Sequence, residues 1–133
     1  MDGSAKVSFD WGDGEHAFRL PIGGLRSLQT KCEAGPAQIH ARLVDGSWRV
    51  DDIRETILLG LIGGGKTPTD ALVLVRRFVD ERPLVENVLP ATVILGAALT
   101  GAARDAVGER AAGKTSTKAK RASSSRRSTA LAR

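Results

Sequence analysis

The fold of this chain turns on residues 60–70, which read GLIGGGKTPTD. As a string, Gly60, Gly65, Lys66 and Thr67 satisfy G-x-x-x-x-G-K-[ST], the phosphate-binding loop of nucleotide hydrolases. Such a loop follows a buried strand and opens a helix at its Gly-Lys-Thr. The alternative interpretation is the end of one helix, a glycine linker and the capped start of a second helix. Fold class and function both depend on which interpretation holds.

The residues before Gly60 predict a helix and not a strand. Asp51 and Asp52 supply the acidic first turn that helices favour, with Asp51 as the expected N-cap. Apolar residues then recur at helical spacing, at Ile53, Ile57, Leu58, Leu61 and Ile62. We therefore predict a helix from about Asp51 to Ile62.

The residues after that helix predict a linker and a new helix start. Gly63, Gly64 and Gly65 can adopt positive φ and end the first helix, as a tight corner or a hinge. Thr67 is the expected N-cap of the next helix and Pro68 its first residue. In a phosphate-binding loop the helix would already be running there, and the proline would remove a backbone donor. We therefore favour the linker interpretation, and a nucleotide site is the least favoured function.

Composition gives no sign of an enzyme. The chain has 133 residues, enough for one domain, and 41% of them are hydrophobic. Cys32 is the only cysteine, so neither a disulfide framework nor a CxxC zinc pattern can form. The only histidines, His16 and His40, are far apart in sequence. We expect no catalytic residues, no metal and no cofactor.

Targeting and membrane signals are also missing from the sequence. The first residues lack the basic start and apolar stretch of a signal peptide. The longest apolar run, residues 88–99, is too short to span a bilayer. We expect no membrane association and a cytoplasmic location in a bacterial host.

The remaining patterns predict a mainly α fold, a small helical bundle of about five helices with an N-terminal β-hairpin. Residues 6–11 and 16–20 alternate apolar and polar side chains around a Gly-Asp-Gly turn. Helical spacing marks one helix near Leu25 to Cys32 and a second that Pro36 opens. A further helix runs from Pro68 to about Glu81, where Arg82-Pro83 ends it.

The last predicted helix is apolar on nearly every face, and Asn87 is its expected cap. A helix of this kind is either central in a bundle or partly exposed for a partner. We predict partner binding through six of its residues: Val88, Leu89, Val93, Ile94, Leu95 and Leu99.

The C-terminal residues differ sharply in composition from the rest. Residues 110–133 hold eight basic residues and no acidic one, whereas residues 1–109 hold 12 basic and all 15 acidic residues. Nothing after about Gly108 can form a core. We predict a helical domain at residues 1–107 and a disordered basic tail at 108–133, either solubilising or in weak, non-specific contact with nucleic acid through residues 110–133.

With these elements placed, the chain resembles the small tail proteins of gene transfer agents and related tailed phages, labelled tail tube or tail assembly chaperone proteins. The resemblance covers about residues 7–107. It rests on FRLPIGGLRSLQ at 18–29, Gly35-Pro36, IRETI at 53–57, LGLIGGG at 59–65, RPL at 82–84 and ILGAAL at 94–99. The basic tail lies outside it.

The resemblance implies a non-enzymatic role in building a phage-like tail. A tail assembly chaperone coats the long, aggregation-prone tape measure protein and helps to recruit major tail tube subunits. The apolar last helix would bind that helical partner. A structural component that stays in a gene transfer agent, phage or prophage particle is the first alternative. A nucleic-acid-binding protein acting through its basic tail is the second.

Overall fold

The computed structural model describes residues 5–101, so the predicted tail at 108–133 and its boundary lie outside the described residues. The described part is mainly α-helical, with five α-helices behind an N-terminal hairpin, as the sequence predicts. In chain order the elements are β1 (Lys6–Trp11), β2 (Gly14–Arg19), α1 (Ile22–Cys32), α2 (Pro36–Asp45), α3 (Val50–Gly63), α4 (Pro68–Val75), a π-helical turn (Arg76–Asp80), a 3-10 helix (Leu84–Asn87) and α5 (Val88–Thr100).

The two strands form an antiparallel hairpin whose register runs from Lys6 opposite Arg19 to Trp11 opposite Gly14. Two residues make the turn, and Gly12 takes a φ of 66°. Positive φ at the first turn residue alone matches a type II′ hairpin, whose twist suits the flanking strands. One face of the hairpin packs into the core, where Phe9 and Phe18 stack with ring centroids 4.7 Å apart.

Helix α3 lies at the centre of the fold and packs against β2, α1, α4 and α5. Its predicted apolar face is confirmed, because Ile53, Ile57 and Leu61 are completely buried. Gly60 lies inside this helix, where a methyl group would stand 3.1 Å from Ile94 Cγ2. A helix thus occupies the place where a phosphate-binding loop needs a strand, so the nucleotide interpretation is wrong.

The glycine linker ends α3 differently from the prediction. Gly63 is still helical and Gly64 has a φ of −81°, so positive φ is confined to Gly65, at 123°. Gly63 and Gly64 are glycines because the β2 backbone leaves no room for a side chain there. A Cβ at Gly63 would collide with the carbonyl oxygen of Arg19, and a Cβ at Gly64 would collide with that of Ala17. The end of α3 therefore lies directly against the edge of β2.

The two helix starts flanking this region follow two capping patterns. Thr67 Oγ1 accepts a hydrogen bond from the Asp70 backbone N–H at 3.1 Å and Pro68 is the first helical residue, as predicted. The expected cap at Asp51 is wrong, because α3 begins at Val50 and Arg49 holds the cap position. Asp52 is then the third helical residue, and its carboxylate accepts from the Arg49 backbone N–H at 2.8 Å.

The predicted helix from Pro68 to Glu81 is not α-helical throughout, because Arg76–Asp80 form a π-helical turn and Glu81 only caps it. This turn carries Phe78, whose ring lies edge-on to Trp11 at 5.5 Å. It also carries Asp80, which accepts two hydrogen bonds from the guanidinium of Arg54, at 2.9 and 3.1 Å. The sequence pattern does not reveal this π-helical turn, because a single turn of that kind differs from an α-helical turn by only one extra residue.

A buried ion pair joins α2 to the start of α3. Arg42 donates two hydrogen bonds to the carboxylate of Asp52, at 2.8 and 2.7 Å. Asp52 is completely buried. Burial favours the neutral acid, but the hydrogen bonds from Arg42 and the Arg49 backbone outweigh it and hold the pKa of Asp52 below its usual range.

We expect Gly63→Ala to destabilise the protein by about 1–3 kcal/mol, because the new methyl group would push α3 off the β2 backbone. Gly23→Ala in α1 is the matched control, since open space surrounds that position. The control should be neutral or slightly stabilising. Urea unfolding of both variants and of the parent protein measures the difference. Equal stability of the two variants would contradict the close approach.

We expect Arg42→Met to cost about 3–5 kcal/mol at pH 7, because it leaves the Asp52 carboxylate buried without its cation. Arg26→Met, at an exposed position on α1, is the control. The pKa of Asp52 is lower in the folded than in the unfolded state, so the stability from this pair is present above an unfolded-state pKa of about 4 and is lost as the pH falls further. Urea unfolding at several pH values should therefore show the difference between Arg42→Met and the parent shrinking below about pH 4. A difference that does not change with pH would exclude this linkage.

Candidate partner surface

Helix α5 is central along most of its length and exposed near its ends. It packs against α2, α3 and both strands of the hairpin. Its inner side chains are buried, at Ala91, Ile94, Leu95 and Ala97. Leu89 near its start and Leu99 near its end are exposed. The helix is therefore central in the bundle at its inner residues, whereas Leu89 and Leu99 are the residues at which it is exposed.

The six residues predicted to bind a partner do not form one surface. Ile94 and Leu95 are 1% and 0% exposed, so they belong to the core and cannot contact a partner in this conformation. A helix that is apolar all round gives no sequence signal for which side faces inward, which is why the prediction included them. Val88 and Val93 are half-buried.

The two exposed leucines of α5 are separate sites. Leu99 lies ten residues after Leu89, about 15 Å along the helix axis at the usual rise per residue. Leu89 is 71% exposed and Leu99 is 41% exposed. The stronger candidate is thus the start of α5.

A second exposed apolar residue, which the sequence prediction missed, lies close to Leu89 in sequence. Val85, in the 3-10 helix just before α5, is 67% exposed and lies four residues before Leu89. We call this pair the Val85/Leu89 surface. Arg82 and Glu86, beside it in sequence, pair with each other at 3.0 Å, so their charges largely offset one another. The sequence signal for Val85 was an apolar pair, Leu84-Val85, directly after Arg82-Pro83 and outside any helical repeat.

Asn87 anchors the start of α5 to the hairpin and the π-helical turn. Its side-chain oxygen accepts a hydrogen bond from Trp11 Nε1 at 2.7 Å, and its Nδ2 donates to the Phe78 carbonyl oxygen at 2.8 Å. Asn87 holds the cap position of α5, as predicted, but its side chain makes no capping hydrogen bond. Its side chain instead fixes the segment that carries Val85 and Leu89.

Pro90 does not kink α5. It is the third residue of the helix, where backbone N–H groups have no partner within the helix in any case. Thr92 Oγ1 donates to the Val88 carbonyl oxygen at 2.7 Å, within the first turn. The start of α5 is therefore regular.

The five residues predicted as a structural linker make the corner between α3 and α4. Gly63 and Gly64 contact β2, Gly65 supplies positive φ, and Thr67 with Pro68 starts α4. Because Gly63 and Gly64 pack closely against the β2 backbone, the linker is better described as a tight corner than as a hinge.

The lone cysteine has no reactive character. Cys32 is buried and donates a weak hydrogen bond to the Asp51 carbonyl oxygen at 3.3 Å. Burial, followed by the nearby charges of Asp52 and Asp51, raises the pKa of the Cys32 thiol to about 12. The thiol is therefore protonated at neutral pH and is a poor nucleophile.

Residues 5–101 contain neither a metal-binding cluster nor a membrane-spanning helix. No group of three or more His, Cys, Asp or Glu side chains in this part of the chain is placed to hold a metal ion. No helix in it is both long and apolar enough to cross a membrane.

Comparison with known proteins assigns the chain to a family. No curated protein and no solved structure matches the chain. The sequence model of one protein family, described as "Phage tail tube protein, GTA-gp10", matches residues 4–101, which include every element described above. The resemblance to tail proteins of gene transfer agents and phages is thereby confirmed, and the chain belongs to this family of phage tail proteins.

Proposed function

We propose that the protein is a tail assembly chaperone that binds a helical segment of the tape measure protein through the Val85/Leu89 surface. The observation that carries this proposal is the exposure of two large apolar side chains four residues apart on a segment that Asn87 holds in place. No catalysis is involved. A chaperone would act in the cytoplasm of the bacterial host.

The distribution of exposed apolar side chains supports transient binding. Within residues 5–101, the large exposed ones are Ile22, Val44, Val50, Val73, Val85, Leu89 and Leu99. They are spread over all five α-helices and the 3-10 helix. Permanent interfaces bury broad and markedly apolar surfaces. A chaperone must release its client, and a small apolar contact suits that requirement.

The fixed position of the surface supports specific recognition. Binding is weakened when side chains and loops must become ordered on contact. Here the hydrogen bonds from Trp11 and to the Phe78 carbonyl oxygen already order the backbone at Asn87. The leucine and the valine are thus presented to an amphipathic helix as preformed anchors, in a helix-to-helix contact.

A second function is favoured by the description of the family. It names a phage tail tube protein, which fits a subunit that remains in the tail of a phage, prophage or gene transfer agent particle. The major tail tube protein would then be the main partner. A chaperone is absent from finished particles, whereas a tube subunit is present in them.

Nucleic-acid binding remains a sequence-based hypothesis only. It depends on the basic residues of 110–133, which lie outside the described residues. Affinity of this kind falls steeply with salt and would disappear when those residues are removed.

We expect Leu89→Asp, alone or with Val85→Asp, to reduce co-purification of the tape measure protein with this protein at least about tenfold, because a carboxylate would have to be desolvated in the contact. Ile22→Asp is the matched control, since Ile22 is similarly exposed on α1. It should retain binding. Leu95→Asp is unsuitable, because Leu95 is completely buried and the variant would unfold.

The assay is co-expression with the tape measure protein of the same genetic element, followed by affinity purification and quantification of soluble tape measure protein. Equal loss in Leu89→Asp and Ile22→Asp would remove the Val85/Leu89 surface from the proposal. Absence of binding by the parent protein, together with its detection in purified particles by mass spectrometry, would favour the tail tube function.

A further inference from the structure

The backbone of β1 has one hydrogen-bonding edge that the described fold leaves open. In a hairpin with a two-residue turn, Trp11 and Gly14 form a hydrogen-bonded pair, and such pairs alternate along the ladder. Lys6, Ser8 and Asp10 therefore direct their backbone N–H and C=O groups away from β2. Within residues 5–101, β2 is the only segment whose backbone hydrogen-bonds to β1.

The opposite edge of the same sheet is closed. By the same alternation, Ala17 and Arg19 direct their backbone groups away from β1, and their carbonyl oxygens are the ones that Gly63 and Gly64 approach. The end of α3 thus covers the outer edge of β2. Another strand can add to this sheet only along β1.

The exposed side chains of β1 are charged in a self-complementary order. Lys6, Ser8 and Asp10 lie on the solvent face, and neither Lys6 nor Asp10 has an ion-pair partner among residues 5–101. Two antiparallel copies of β1 that pair about a two-fold axis at Ser8 would place each Lys6 opposite Asp10 of the other copy. A shift of the axis to Val7 or Phe9 would lose both pairs.

From these observations we propose that β1 pairs with β1 of a second copy of this chain, so that two hairpins form one four-stranded antiparallel sheet. The three outward-facing residues of each strand would exchange about six backbone hydrogen bonds. On the core-facing side, half-buried Phe9 would lie opposite Val7 of the second copy, and aromatic with β-branched is a favourable cross-strand pair.

The closed β2 edge makes this association self-limiting. Head-to-tail pairing of β1 with β2 would propagate into an open chain of subunits. Because α3 covers β2, only the symmetric arrangement is available, and it ends at two copies. Helix α5 also contacts β1, but its own backbone groups are bonded within the helix and cannot satisfy the strand edge.

The interface is small, so the dimer should be in equilibrium with the monomer. It is independent of the proposed chaperone function, because it uses the hairpin edge and leaves the Val85/Leu89 surface out. A dimer would present that surface twice, which would raise the avidity for a long repetitive partner.

The test is a set of charge reversals on the full-length chain, measured by sedimentation equilibrium over a wide concentration range at low and high salt. Lys6→Asp sets two carboxylates against each other across the interface, and Asp10→Lys sets two ammonium groups against each other. Each single variant should therefore raise the dissociation constant at least about tenfold. The double variant Lys6→Asp with Asp10→Lys should restore dimerisation. An equimolar mixture of the two single variants should form a heterodimer.

A backbone variant provides an independent check. Ser8→Pro removes an N–H that points away from β2, so the hairpin keeps its own ladder while the dimer loses a central bond. Circular dichroism and thermal melts should match the parent protein, and the variant should be monomeric. A parent protein that is monomeric at millimolar concentration would overturn the proposal. A dimer that none of these substitutions weakens would overturn it as well, since its interface would lie elsewhere.

Discussion

The close approach of α3 to the backbone of β2 is the constraint on which the rest of the structure depends. Two glycines at the end of α3 allow the helix to lie against carbonyl oxygens of the strand, at a distance that no side chain would permit. One turn earlier, Gly60 lets Phe18 and Ile94 pack against the same helix. A two-stranded hairpin is at best marginally stable alone, and this contact makes it part of the core.

The packing of α3 against β2 also makes the two edges of the hairpin different. One edge is covered by a helix end, whereas the other carries a lysine, a serine and an aspartate whose outward backbone groups bond to no other segment of residues 5–101. The core-facing side of the hairpin reaches the start of α5 through Trp11 and Asn87, and the π-helical turn contributes the Phe78 ring and carbonyl to the same cluster. Two surfaces that are remote in sequence, the β1 edge and the Val85/Leu89 pair, are therefore held by one continuous core.

For a protein of a phage tail family, this arrangement suits assembly work. The one thiol of the chain is buried and protonated. The two features that we propose as contact surfaces are the Val85/Leu89 surface and the open edge of β1, and both are small. In the proposed chaperone and dimer, small contacts of this kind would allow the client and the second copy to be exchanged, because their total binding energy would stay modest.

Much of the fold follows from local sequence alone. The hairpin, Thr67-Pro68 at the start of α4 and the apolar stripe of α3 each depend on chemistry within a few residues, and helical periodicity carries that information directly. The family assignment also follows from sequence, because glycine and proline positions in the matched motifs are local. The cap of α3 was misplaced by two residues, since either of two adjacent aspartates could serve the first turn.

The roles of particular side chains depended on tertiary structure. Because α5 is apolar on nearly every side, its sequence does not show which side faces solvent. Only its packing against α2, α3 and the hairpin distinguishes buried Leu95 from exposed Leu89. Gly63 and Gly64 are glycines because of a strand more than 40 residues earlier. Sequence thus determined which elements form and what family they belong to, whereas contacts between distant segments decided which surfaces stay free, because burial is a property of the packed molecule.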